Sequence, residues 1–186
     1  MSDFPSLGEQ SPVVAVQVPV IKNVLTWDTG CGQYYSGFDA SKSVTAGATW
    51  PTANKAWYMP FYLNEGLTVY QMGVWVATSS GNVDVGIYDE FGTRLVSLGS
   101  TACPSAGPAL LDISNTALVP GTYYAALAVD NTTASLRRLN TPAAGVGRTF
   151  GVQVQTSAFA LPATATFTPV DAAYYPWITL YMASTV

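Results

Sequence analysis

At 186 residues the chain is long enough for one sizeable core with an appended arm, and short for two full domains. Charged residues make up 10% of it, against about 25% in ordinary soluble domains, so much of its surface is expected to lie against other chains. A net charge of -4 with seven scattered Lys and Arg leaves no basic stripe for nucleic acid and no polybasic segment for a membrane, and the lack of histidine excludes Ser–His–carboxylate and Cys–His nucleophiles.

Residues 1–10 are polar, with Pro5 and Gly8, and read as a disordered or partner-ordered start. They lack the basic start and apolar run of a signal peptide, and no stretch is apolar enough to span a bilayer, so synthesis in a cytoplasm is expected. Residues 11–25 (SPVVAVQVPVIKNVL) are rich in valine but carry Pro12 and Pro19, which cannot donate to a central ladder. The expectation is an extended arm over residues 1–25, with Val13, Val14, Val16, Val18, Val20 and Ile21 lying on the chain's own domain or on a neighbouring subunit. The remaining 26–186 form the folded domain.

Residues 26–49 hold Gly, Ser and Thr punctuated by Trp27, Tyr34, Tyr35 and Phe38, a pattern of irregular strands and loops. Between Trp50 and Pro60 (WPTANKAWYMP) two readings stand: core packing at a sandwich end, or an aromatic platform for a sugar ring built from Trp50, Trp57 and Tyr58. A turn at Glu65-Gly66 leads to a strand over 68–76 with Tyr70, Met72, Val74 and Val76 on one face. Residues 82–88 alternate Val83, Val85 and Ile87 with Asp84, Gly86 and Tyr88, the period of a half-buried strand, and the Asp89–Gly92 turn makes a hairpin with 93–98.

A short strand is expected at 110–113 and a longer one at 122–129. In the latter Tyr123, Ala125, Leu127 and Val129 face one way, and the small face of Tyr124, Ala126 and Ala128 suits close packing of another sheet or subunit. Residues 135–140 read as a helical turn and 141–147 as loop, with Arg137 and Arg138 either solvated or docking as an exposed pair on a partner's carboxylates. Residues 150–155 alternate again, 158–169 suit an edge or a long connection, and 177–182 end the chain as a strand with Ile178, Leu180 and Met182 on one side. Short strands at spacings of about 8–12 residues, without a helical stripe, predict an all-β, antiparallel, jelly-roll-like β-sandwich with very little helix.

Chemistry is sparse. No catalytic residue, metal site or cofactor is assigned. Asp84, Asp89 and Glu90 are read as strand and turn carboxylates, although calcium near Asn82, Asp84 and Asp89, or a glycosidase pair drawn from Asp28, Asp39 or Asp171, is conceivable on residue type alone. Asn131-Thr132-Thr133 reads as a turn rather than a glycan acceptor, and Cys31 and Cys103 as free, partly buried thiols.

The segments GNVDVGIYDEFGTRLVSLGS (81–100) and LVPGTYYAALAVD (118–130) resemble β-sandwich modules in structural proteins of tailed bacteriophages, where a VDVGIYD-type strand leads to a G-x-R-L hairpin and a PGTYY-type strand returns beside it. The resemblance covers about a third of the chain and transfers no catalytic or ligand residue. It implies a virion component made in the host cytoplasm: a capsid decoration, minor capsid or tail protein. Such a component is a homo-oligomer, trimer favoured, packed on major capsid or tail proteins. The alternative is a host-glycan-binding module using the aromatics above.

Overall fold

The computed structural model describes residues 25–28, 33–36, 44–139 and 144–184. The arm residues Val13, Val14, Val16, Val18, Val20 and Ile21 lie outside them, while Leu25, placed at the end of the arm, opens the first strand. In chain order the elements are β1 (Leu25–Asp28), β2 (Gln33–Ser36), β3 (Val44–Thr49), β4 (Lys55–Leu63) and β5 (Leu67–Thr78). Then come β6 (Asn82–Asp89), β7 (Arg94–Ser97), β8 (Thr101–Ala102), β9 (Gly107–Leu118), β10 (Gly121–Val129) and β11 (Ser135–Leu139). A short helix α1 (Ala144–Thr149) precedes β12 (Gln153–Gln155), β13 (Thr168–Pro169), β14 (Tyr175–Pro176) and β15 (Ile178–Ser184).

The strands form an all-β sandwich of two antiparallel sheets. One runs β1-β2-β15-β5-β11-β14, with β9 on β5 and β3 on β11; the other runs β13-β12-β4-β10-β6-β7, with β8 on β6. Successive strands cross between sheets at β4–β5, β5–β6, β9–β10 and β10–β11, the jelly-roll habit.

The alternation explains the central core. Met59, Phe61, Val83, Val85, Ile87, Ala125 and Leu127 from one sheet meet Met72, Val74, Val76, Ile178 and Leu180 from the other, all buried. Each fully buried aliphatic side chain contributes about 1.5–3 kcal/mol. In β5 it is Val69, not Tyr70, that joins Met72 in the core. Against β15, Gln71 pairs with Tyr181 and Val69 with the very next residue, Met182, so Tyr70 is one extra residue in β5, which reverses the parity of every side chain before it.

The second sheet is buried on both faces, a correction to the half-buried reading of β6, since Asp84 and Tyr88 are 0% exposed. Ala56, Tyr58, Tyr88, Ala126 and Ala128 on its outer face pack against Ala158, Leu161 and Ala165. Thus the small face of β10 does take a close neighbour, and that neighbour is a strap of the same chain, residues 156–167. The strap is tied down along its length. Ala158 N donates to Asn54 O at 2.7 Å, Arg94 N to Ala163 O at 2.9 Å and Ala165 N to Gly92 O at 2.7 Å. The Tyr88 hydroxyl donates to Pro162 O at 2.6 Å, and the Arg94 guanidinium to Leu161 O. Gly86 leaves room for both neighbours, because a Cβ there would stand 2.5 Å from Val96 O of β7 and 3.2 Å from Leu161 Cδ1 of the strap.

Two local expectations are overturned. Residues 135–139 form a strand between β3 and β14 rather than a helical turn, because pairing with three strands outweighs local propensity. Residues 144–149, read in part as loop, form α1, anchored where Gly147 N donates to the Tyr175 hydroxyl at 3.0 Å.

Candidate functional site

The proposed aromatic platform is core. Trp50, Trp57 and Tyr58 are 1%, 0% and 0% exposed. Trp50 lies edge-on to Trp57 at 4.8 Å and to Tyr174 at 5.3 Å, and its indole Nε1 donates to Lys55 O at 3.0 Å. Tyr58, the next residue along the strand, belongs to the opposite cluster under the strap. There it meets Tyr88 at 5.2 Å and Phe167 at 5.1 Å, and its hydroxyl donates to Gln155 Oε1 at 3.1 Å. Burial pushes the Tyr58 and Tyr174 hydroxyls well above the ordinary tyrosine range. With all three rings buried, the glycan-binding alternative loses its platform.

Arg137 and Arg138 do not form an exposed pair on a loop. Both are half-buried on β11. The Arg137 guanidinium lies 3.7 Å over the Trp75 ring, which is itself edge-on to Trp177 at 6.3 Å. Arg138 donates through Nη1 to Ala173 O at 2.7 Å and sits 5.8 Å from the Tyr174 ring. They fasten the first sheet to its own neighbours.

The carboxylates diverge in the same way. Asp84 accepts from Ser97 Oγ, from Gly99 N at 2.9 Å and from Leu161 N at 2.9 Å. Burial still raises its pKa above the ordinary value, against the pull of those donors and of Arg94. Asp89 holds its own turn, accepting from Phe91 N at 2.9 Å and Thr93 N at 2.7 Å, as the local hydrogen-bonding reading expects. Asn82 pairs with Asp130 at 2.8 Å. Asn82, Asp84 and Asp89 therefore have separate partners, and among the described residues no three of His, Cys, Asp and Glu gather around one point. Asn131 forms the expected turn, accepting from Thr133 N and Ala134 N at 2.8 Å each. Cys103 is a buried free thiol; Cys31, Asp39 and the side chain of Asp28 lie outside the described residues.

One polar constellation escaped the sequence reading. Lys55, only 5% exposed, opens β4 and places Nζ 2.6 and 2.8 Å from the two carboxylate oxygens of Asp171. Its ammonium lies 5.1 Å from the Trp57 ring centroid. Arg148, at the end of α1, is fixed by Nε donating to Val170 O at 2.8 Å. Together with Val154, Thr156 and Pro169 they line an open cleft of about 500 Å³. The Asp171 carboxyl is held below its usual range, first by the Lys55 hydrogen bond and further by the charge of Arg148. Two cations facing one carboxylate leave the cleft with a net positive charge. No sequence signal marks it, since Lys55 and Asp171 stand 116 residues apart.

Neither a family model, a curated protein nor a solved structure matches the chain. Among the described residues no helix is long and apolar enough to cross a membrane.

Proposed function

We propose that the protein is a structural component of a bacteriophage virion: a β-sandwich decoration, minor capsid or tail-associated protein that works by packing against copies of itself and against other virion proteins. The observation that carries this reading is what the fold leaves on its surface. Asp84, Asp89 and Asp171 are tied into bonds with the chain itself, the strap covers much of the outer face of the second sheet, and large apolar side chains stand out elsewhere. Phe91 is 79% exposed, Val119 69% and Leu110 54%. With only 10% charged residues, such a surface suits a protein that meets other proteins. The resemblance of residues 81–100 and 118–130 to phage sandwich modules supplies the class of particle, and a homotrimer is the favoured assembly. The valine-rich residues 13–21 serve as the anchor, adding a strand to a neighbour's sheet edge.

Mass spectrometry of gradient-purified particles should find the chain in a fixed ratio to the major capsid protein. A chain beginning at Leu25 should keep its β-sheet circular dichroism and stay out of the particle. Normal incorporation of the shortened chain removes the arm from the reading, and absence of the full chain from purified particles removes the reading itself.

A further inference from the structure

The two ends of the sandwich are unlike. Strand β4 runs from Lys55 at one end to Leu63 at the other, and β10 returns beside it from Gly121, opposite Leu63, to Val129, opposite Lys55. At the Leu63 end three large apolar side chains are exposed: Tyr62 at 43%, Val119 at 69% and Phe91 at 79%. They share that end because Tyr62 pairs with Thr122, Asp89 pairs with Tyr123, and the Tyr123 hydroxyl donates to Val119 O at 2.9 Å. Glu90 and Phe91 form the tip of the β6–β7 hairpin, and Glu65 belongs to the β4–β5 turn at the same end. The opposite end of β4 holds the positively charged Lys55–Asp171–Arg148 cleft.

The tip is a rigid acidic and aromatic plug. Asp89 clamps its amides, and Gly92 O accepts from Ala165 N of the strap at 2.7 Å, so little freedom is left to lose on docking. The cleft is the matching socket. Arg148 is immobilised through Nε, and its terminal amino groups suit a carboxylate fork. Val154 and Pro169 supply an apolar wall, and about 500 Å³ is room for a benzyl group beside a carboxylate. From this complementarity we infer that Glu90 and Phe91 of one copy seat in the Lys55–Arg148 cleft of a second copy. The junction is head-to-tail: it closes into a ring where the rotation allows and extends as a filament where it does not. The inference rests on the assembly reading and names its contact.

Sedimentation velocity of the full chain over a concentration series tests it. Glu90 and Phe91 are exposed on the hairpin tip, so Glu90→Lys and Phe91→Ser should leave the fold intact; Arg148 is exposed but also bonds Val170 O, so Arg148→Glu is first shown to keep the wild-type β-sheet circular dichroism. Wild type should self-associate, and each variant should need about tenfold more protein or greater to do so, the cost of a lost anchor in a small interface. An equimolar mixture of Glu90→Lys and Arg148→Glu should recover association, because each supplies what the other lacks. Single variants that associate like wild type, or a mixture that does not recover, overturn the inference and leave assembly through other surfaces standing. A wild-type chain that stays monomeric throughout the series overturns both.

Discussion

Asp84 shows how a residue's neighbours change its meaning. On the alternation of β6 it belongs to a face that meets solvent; in the fold it is 0% exposed and binds three donors, one of them Leu161 N on the strap. All three partners donate, so an amide at this position has to turn its own N–H₂ group toward another N–H. Asp84→Asn should therefore lower stability by about 1–3 kcal/mol in urea unfolding, the cost of a buried group left unpaired. The pH dependence has a definite sign. Because its folded pKa is raised, Asp84 contributes most below its unfolded value, and the contribution is lost as pH rises through the folded value. The stability gap between wild type and Asp84→Asn should accordingly narrow as pH rises from about 4, and a gap that widens contradicts the burial of this carboxylate. Asp171 works the other way: its depressed pKa stabilises above the unfolded value, and that part is lost toward acid in both proteins.

Among the elements, the strap is the one that composition disguises. AFALPATATFTP has the look of a connection, and no periodicity indicates that it covers a sheet. Its side chains nevertheless complete the cluster around Tyr58, Tyr88 and Ala126, with Leu161 1% exposed. Leu161→Ala should cost about 2–5 kcal/mol in chemical denaturation through the cavity it leaves. Amides of the strap should then exchange hydrogen faster than those of β10, which lies in the middle of its sheet. Equal protection in the two segments would mean that the strap is not a separate layer. Strand β5 carries the complementary lesson. Its alternation is visible from Met72 to Val76, but the irregularity after Val69 cannot be read from residue types, because a bulge is set by the partner strand and not by the sequence of one. In β11 the same dependence on partners turns an expected helical turn into strand.

At the scale of the whole molecule, neighbours in space come from distant parts of the chain. The second sheet places β12, β4, β10 and β6 side by side, drawn from residues 153–155, 55–63, 121–129 and 82–89. Loop closure has to precede such pairing, so stopped-flow refolding should proceed on the scale of roughly milliseconds to seconds, as for other sandwiches. Microsecond refolding would be out of keeping with this topology. The same long-range assembly builds both ends of the sandwich: the acidic, apolar tip collects β6, the β9–β10 turn and β4, while the basic cleft collects β4, α1 and the Asp171 loop.

The sequence by itself determined the class of fold and the inner core. Period-two alternation in β6, β10 and β15, the hairpin at Asp89–Gly92 and the scarcity of helical stripes are local properties, and local properties are written in residue order. Only the tertiary structure decided what becomes of the other faces and of the charged groups. Trp57 and Tyr58 are adjacent in sequence yet end in different clusters, Arg137 stacks on Trp75 while Arg138 bonds Ala173, and Lys55 finds Asp171 across most of the chain. Whether a side chain is core, clamp or surface depends on what packs over it, and here the covering residues lie tens of positions away, where no pattern in a single strand can register them.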